Sequence, residues 1–226
     1  MIRNTYRYER KFLIENGSQE NNIQIILQNP GLFSEIYPER EINNIYLDTE
    51  EYDFFKENIN GIAKRKKIRI RWYDKKSGYI EPILEIKEKS GLVGTKYSFN
   101  LATIHINDIT NKEKLIELFH QSNLPKSIAH ELNSLNLTLM NTYNRKYYLS
   151  SNSKIRLTLD SNIEYFITRN IININLYSFK TECNIIELKY KPNDDLAASI
   201  ISNNLPWRMT RSSKYVDGVK LINLFN

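Results

Sequence analysis

The chain has 226 residues, with 32 Lys+Arg against 26 Asp+Glu and a formal net charge of +6. Its 41% apolar and 26% charged residues are the balance of a folded globular protein, and only seven Gly and six Pro exclude collagen-like, linker-rich and low-complexity chains. A lone Cys183 forms no internal disulfide, which fits a reducing compartment, and no stretch reaches the roughly 18 apolar residues of a membrane span, so a soluble chain is expected.

Period-2 alternation dominates. It predicts strands over 3–14, 41–48, 62–73, 79–89, 95–101, 139–149, 154–160, 164–168, 171–176 and 184–191, with Lys76-Ser77-Gly78 as a hairpin turn between two long strands. Helical spacing predicts helices over 20–28, after the cap Asp48-Thr49, and over 111–120, 127–135, 194–202 and 213–224. Antiparallel strands with helices set around them make an α+β pattern, read as one domain over 1–226.

The surplus charge sits in one place. Lys64, Arg65, Lys66, Lys67, Arg69 and Arg71 are six cations with no acid among them, and the remaining chain balances at 26 against 26. A basic run means a solvated face or a nucleic-acid patch. Residues two apart on a strand share a face. Arg69 and Arg71 therefore lie together, with Ile68, Ile70 and Trp72 on the other side. Glu9 with Lys11, Glu85 with Lys87, and Glu187 with Lys189 repeat a Glu-x-Lys face on three further strands, and Tyr143, Arg145 and Tyr147 line up on another.

An ordinary sheet with a solvated outer face accounts for any one of these strands. The repetition favours a closed or nearly closed barrel with a charged lumen and apolar sides under helices. Such a lumen needs interleaved carboxylates, water or a bound polyanion, because an unpaired buried charge costs several kcal/mol. The carboxylates Glu9, Glu85 and Glu187 serve as counter-charges or as oxygen ligands for Mg²⁺ or Mn²⁺. Other chemistry is unmarked. No G-x-G-x-x-G occurs, Gly91-Leu-Val-Gly94-Thr-Lys96 lacks P-loop spacing, and His105, His120 and His130 have no partners at zinc spacing.

The ordered series of motifs resembles the triphosphate tunnel metalloenzyme superfamily, and within it the VTC (vacuolar transporter chaperone) polyphosphate polymerase domain. The series is Tyr8-Glu9-Arg10-Lys11-Phe12, Tyr46-Leu47-Asp48-Thr49 with Tyr52, Arg69-Ile-Arg71-Trp-Tyr73, Leu84-Glu-Ile-Lys87, and Lys96. It continues through Thr142-Tyr-Asn-Arg145, Arg156-Leu-Thr-Leu-Asp160, Ile186-Glu-Leu-Lys189 and Ser212-Ser-Lys-Tyr215. The resemblance implies an eight-stranded antiparallel tunnel with surrounding helices. By position, Lys11, Arg69, Arg71, Lys87, Lys189 and Lys214 would act on the phosphates in catalysis. Lys96, Tyr143, Arg145, Arg156 and Ser213 would add phosphate contacts, and Glu187 would bind Mn²⁺ or Mg²⁺.

One departure separates branches of the superfamily. The CYTH tripolyphosphatases carry Glu-x-Glu-x-Lys on the first strand, and here the pattern reads Arg7-x-Glu9-x-Lys11. The missing carboxylate favours a transferase that moves the γ-phosphate of ATP onto a growing polyphosphate chain. A hydrolase of the same fold and a non-catalytic polyphosphate-binding subunit are the alternatives. The implied partners are ATP and inorganic polyphosphate or pyrophosphate, and no nucleic acid is expected. The implied location is cytoplasmic, with a separate membrane-protein partner as a further option. Lys64 to Lys67 are expected at a solvated tunnel rim or docking patch, and Tyr46, Trp72 and Phe99 between strands and helices.

Overall fold

A computed structural model describes residues 7–15, 17–75, 77–91, 93–166 and 178–223. In chain order the elements are β1 (Tyr8–Ile14), α1 (Gln19–Leu27), β2 (Ser34–Asp48), α2 (Asp53–Ile59), β3 (Lys64–Tyr73), β4 (Tyr79–Ile80) and β5 (Ile83–Ser90). They continue as β6 (Val93–Asn100), β7 (Ile104–His105), α3 (Lys112–Gln121), α4 (Lys126–Asn133), β8 (Asn136–Leu149), β9 (Arg156–Phe166) and β10 (Ser178–Lys180). The last are β11 (Asn184–Tyr190), α5 (Asp195–Asn203), β12 (Met209–Thr210) and α6 (Lys214–Asn223).

The class is α+β, as the alternation implied. One antiparallel sheet runs β12-β1-β11-β9-β8-β2-β3-β5-β6, with β10 added on β9. Eight strands of that path have seven or more residues. On the concave side Lys67 of β3 donates to the hydroxyl of Ser213 at the start of α6, 2.8 Å away, linking the two halves of the curled sheet.

Alternation fixes which side chains face out. Ile68, Ile70 and Trp72 of β3 and Leu84 and Ile86 of β5 pack on the convex side with Leu115, Leu118 and Phe119 of α3 and Leu132 of α4. Phe12, Leu157, Leu159, Ile186 and Leu188 form a second convex core with Ile26 of α1 and Ala198 and Ile201 of α5. Arg10 pins α5 from β1 by bonding Asp195, Ser199 and Ser202.

A third core lies on the concave side, where α6 enters the curl. Tyr215, Val219 and Ile222 pack on Ile42 and Tyr46 of β2, Leu139 and Tyr143 of β8, Ile163 and Tyr165 of β9, and Ile185 of β11. Tyr46 stacks on Tyr215 with centroids 4.9 Å apart, so it belongs to the inner face and not to the outer shell expected for it. Buried Asp48 anchors the corner. It accepts from the backbone amides of Phe54 and Phe55 at 2.9 Å, satisfying the start of α2, and from the hydroxyl of Tyr215.

Several boundaries differ from expectation. The strand expected over 79–89 is split, because Pro82 has no N–H for the ladder; β4 pairs with β7, and β5 alone continues beside β3. Of the turn expected at 76–78, residue 76 lies outside the described residues, and Ser77 and Gly78 lead into β4 of a separate two-stranded sheet rather than into a long hairpin strand. The strands expected over 154–160 and 164–168 are one, β9, as far as Phe166; residues 167 and 168 lie outside the described residues. The strand expected over 171–176 lies outside the described residues, as do residues 3–6 of the first. Among the described residues no helix is long and apolar enough to cross a membrane.

The close seat of α6 makes a prediction. A Cβ at Gly218 would meet the Tyr165 ring at 2.5 Å and Leu139 at 2.6 Å. Gly218→Ala should destabilise the protein by about 1–3 kcal/mol, despite alanine's better helix propensity, because the helix must lift off the sheet. Urea unfolding reads this directly, and a stabilised variant would refute the packing.

Candidate active site

The inner face above α6 gathers cations from six strands and one helix. They are Lys11 of β1, Lys67, Arg69 and Arg71 of β3, Lys87 of β5, Lys96 of β6, Arg145 of β8, Lys189 of β11 and Lys214 of α6. Four carboxylates face them: Glu9, Glu85, Asp160 and Glu187.

Two of these carboxylates are scaffolding. Glu85 accepts from Arg69 at 2.7 and 2.5 Å, bonds Lys96, and lies 3.7 Å from Arg71. Burial would raise its carboxyl pKa, but Arg69, Arg71 and Lys96 hold it far below the usual range. Asp160 accepts from Arg145 at 2.5 and 2.7 Å and from Lys214. It is likewise buried, yet its cations bring it down to about 2. Asn44 accepts from Arg71 at 2.8 Å, and the Tyr143 hydroxyl accepts from the same guanidinium at 3.1 Å. These bonds fix each guanidinium plane while leaving other N–H groups to turn into the lumen. Tyr143 also carries Lys214 at 4.4 Å and Arg145 at 5.2 Å from its ring centre. Burial opposes ionisation of its phenol, but Arg145, Arg71 and Lys214 bring it down to about 8.

Glu187 is held differently. Lys189 lies 3.4 Å from it and Lys11 and Arg145 each 3.9 Å, all longer than a direct hydrogen bond. Against the effect of burial, Lys189, Lys11, Arg145 and Lys87 keep it well below the normal carboxylate range, so it is a carboxylate at neutral pH. Thr158 sits opposite Glu187 on β9, and its buried hydroxyl has no hydrogen-bond partner among the described residues. Among the described residues no three His, Cys, Asp or Glu converge as a metal-binding group. The donor set thus fits a hard divalent cation that takes one carboxylate from the protein and its other ligands from phosphate and water.

Most residues singled out in the sequence meet on this face. Lys11, Arg69, Arg71, Lys87, Lys96, Tyr143, Arg145, Glu187, Lys189 and Lys214 all line it. Ser213 reaches it through its bond from Lys67. Arg156 stands apart, exposed at the start of β9 and opposite Lys189, at the mouth. Glu9 pairs with Lys189 at 3.8 Å, and Arg7, where the hydrolytic branch has its extra carboxylate, is exposed just before β1.

Three contributors were missed. Lys67 was expected at a solvated rim or docking patch. Its spacing from Arg69 and Arg71 was the available signal. Asp160 closed a recognised motif without a role. Its inward aim follows from regular alternation with Thr158, which lies opposite Glu187, and that alternation was the available signal; the bulge at Asn162, with φ 51°, comes after it and turns Ile163 and Tyr165 to the same side. Asn44, which orients Arg71, had no signal beyond its place on β2.

The family model of the VTC domain matches residues 6–223. The chain belongs to the VTC domain family. No curated protein matches it. Among solved structures, this VTC domain is similar to the PH1819 protein of Pyrococcus horikoshii OT3, with 14% identity, a TM-score of 0.52, and 97% of this chain and 99% of that chain covered. A putative adenylyl cyclase of Hippeastrum, HpAC1, for which a dominant triphosphatase activity is described, has 15% identity, a TM-score of 0.49, and coverage of 92% and 93%. At this identity the likeness to the PH1819 protein is one of fold.

Protonation of the face carries a second prediction. Burial, with nearby cations, lowers Lys67 and Lys87 to about 7 each. Above pH 7 the unfolded chain therefore holds more protons on these lysines than the folded one, and Tyr143 adds the same sign from about 8. Stability of the ligand-free protein should rise between pH 7 and 8.5, while affinity for tripolyphosphate, which favours the ammonium forms, should fall. Thermal melts and titration calorimetry at both pH values measure the two trends; stability falling over this interval would contradict the assignment.

Proposed function

We propose that this protein is a polyphosphate polymerase that transfers the γ-phosphate of ATP to a growing polyphosphate chain. The observation that carries this is the ring of lumen cations, pre-aimed by Glu85, Asp160, Asn44 and Tyr143, in a chain of the VTC domain family.

Phosphoryl transfer needs in-line placement and neutralised charge more than covalent help. In this reading Arg69, Arg71, Arg145 and Lys214 clamp donor phosphates. Lys11, Lys87, Lys96 and Lys189 draw the remaining negative charge, and Ser213 and Tyr143 add hydroxyl contacts. Arg156 meets the chain at the mouth. Because the scaffolding carboxylates already hold several cations in place, little reorganisation accompanies charge build-up. Glu187 and the Thr158 hydroxyl would hold Mn²⁺ or Mg²⁺ together with phosphate oxygens; the metal would supply charge neutralisation across those oxygens. The acceptor is a terminal phosphate, ionised at neutral pH, so no side chain is needed as general base. Exposed Arg7, just before β1, in place of a carboxylate favours a phosphate acceptor over an activated water.

Incubation with ATP and Mn²⁺, followed by gel separation and assays of ADP and phosphate, tests the reading. Polymer with stoichiometric ADP is expected. Free phosphate without polymer would make the protein a hydrolase of the same fold, and neither product would make it a binding subunit. Glu187→Gln should abolish turnover while retaining tripolyphosphate binding, and normal synthesis by this variant would remove the metal role. Arg71→Ala should cost about 2–5 kcal/mol, by analogy with desolvated charge pairs.

A further inference from the structure

One row across the sheet carries charge only at its first member. Strand pairing sets Arg71 of β3 opposite Asn44 of β2, Asn44 opposite Asn141 of β8, and Asn141 opposite Tyr165 of β9. Directly opposed residues share a face, so these side chains stand side by side. Asn44 and Asn141 are both fully buried, out of reach of bulk water. Their amide oxygens and nitrogens must find partners within the protein or go without.

The bonds in this row run one way. Arg71 Nε donates to Asn44 Oδ1 at 2.8 Å, and Asn44 Nδ2 donates to Asn141 Oδ1 at 2.9 Å. Asn141 Nδ2 has no hydrogen-bond partner among the described residues. A guanidinium can only donate. It therefore draws the Asn44 oxygen toward β3 and leaves the Asn44 amide nitrogen toward β8, where an oxygen must receive it. Turning the Asn141 amide over would set two NH2 groups against each other. The orphan donor at the far end is the consequence, and a buried unpaired donor destabilises a fold. Two apolar residues of similar shape would avoid that cost, so stability alone does not account for this pair of asparagines. The Tyr143 hydroxyl, the other oxygen bonded to Arg71, turns freely about its C–O bond, whereas an amide held on both sides does not turn.

We infer that Asn141 is a positioning residue for phosphate binding, holding the Arg71 guanidinium in its plane through Asn44 from two strands away. The inference rests on the reading of Arg71 as a phosphate clamp. It adds to that reading a residue that acts only through a neighbour. A guanidinium held in advance loses less freedom when a phosphate arrives, and the gain appears as affinity.

The test is tripolyphosphate affinity, measured by calorimetry, in Asn141→Leu and Asn141→Asp. Leucine keeps the volume and removes the acceptor. Aspartate, in either protonation state, keeps an acceptor toward Asn44. Expected are a loss of roughly three- to tenfold for Asn141→Leu, the size of one net hydrogen bond, and a change under about twofold for Asn141→Asp. In an Arg71→Lys background there is no guanidinium plane to hold, so Asn141→Leu should cause no further loss. Thermal melts follow the fold, and Asn141→Ala takes the place of the leucine variant if that one does not fold. Unchanged affinity in the variant lacking the acceptor overturns the inference. Equal losses in the leucine and aspartate variants, or additive losses in the Arg71→Lys background, would make Asn141 a structural residue only. A wild-type protein that does not bind tripolyphosphate removes the clamp itself, and binding without polymer removes only the polymerase reading, so the failures are told apart.

Discussion

Everything in this structure depends on the electrostatic cost of one crowded inner face. Nine cations share it with four carboxylates, and burial strips water from many of them. Such a face holds together only where acids are interleaved, and the acids are placed to do two jobs. Glu85 and Asp160 neutralise part of the charge and at the same time hold Arg69, Arg71 and Arg145 in fixed orientations. The remaining excess, on Lys67 and Lys87 above all, is only partly offset at longer range by Asp217, Glu9 and Glu187, and burial with the neighbouring cations brings both lysines down to about 7. A phosphate chain is the ligand whose charge would relieve it.

The rest of the molecule follows from keeping that face rigid. Two convex cores under α1 with α5 and under α3 with α4 hold the sheet in its curl. Helix α6 packs into the concave side, and the short segment before it delivers Ser213 and Lys214 to the cations. Asp48 ties α6 to the start of α2, so one buried carboxylate fixes the corner between β2, α2 and the inner helix. A clamp built on strands and a packed helix in this way is preorganised, which is what a reaction governed by charge and alignment needs.

Much of this was legible along the chain, because alternation reports faces without reference to any partner strand. Arg69 with Arg71, Glu85 with Lys87 and Glu187 with Lys189 share a face whatever the topology. The apolar residues between them must then lie under helices. Less legible were positions where one residue changes the phase. Asn162 at φ 51° inserts an extra residue into β9, so Asp160 and Tyr165 both point inward although their numbers place them on opposite sides of a regular strand. Pro82 likewise cuts one expected strand into β4 and β5.

The sequence by itself therefore determined the α+β class, the charged faces and most residues of the candidate site, since these depend on spacing of two along strands and on ordered motifs. Only the tertiary structure decided which cation meets which acid. That Glu85 serves three cations while Glu187 keeps its distance depends on strand order and curl, as does Lys67 reaching Ser213 some 146 positions away. Charge pairing falls steeply with distance inside a protein, and distance between residues far apart in the chain is set by the fold alone.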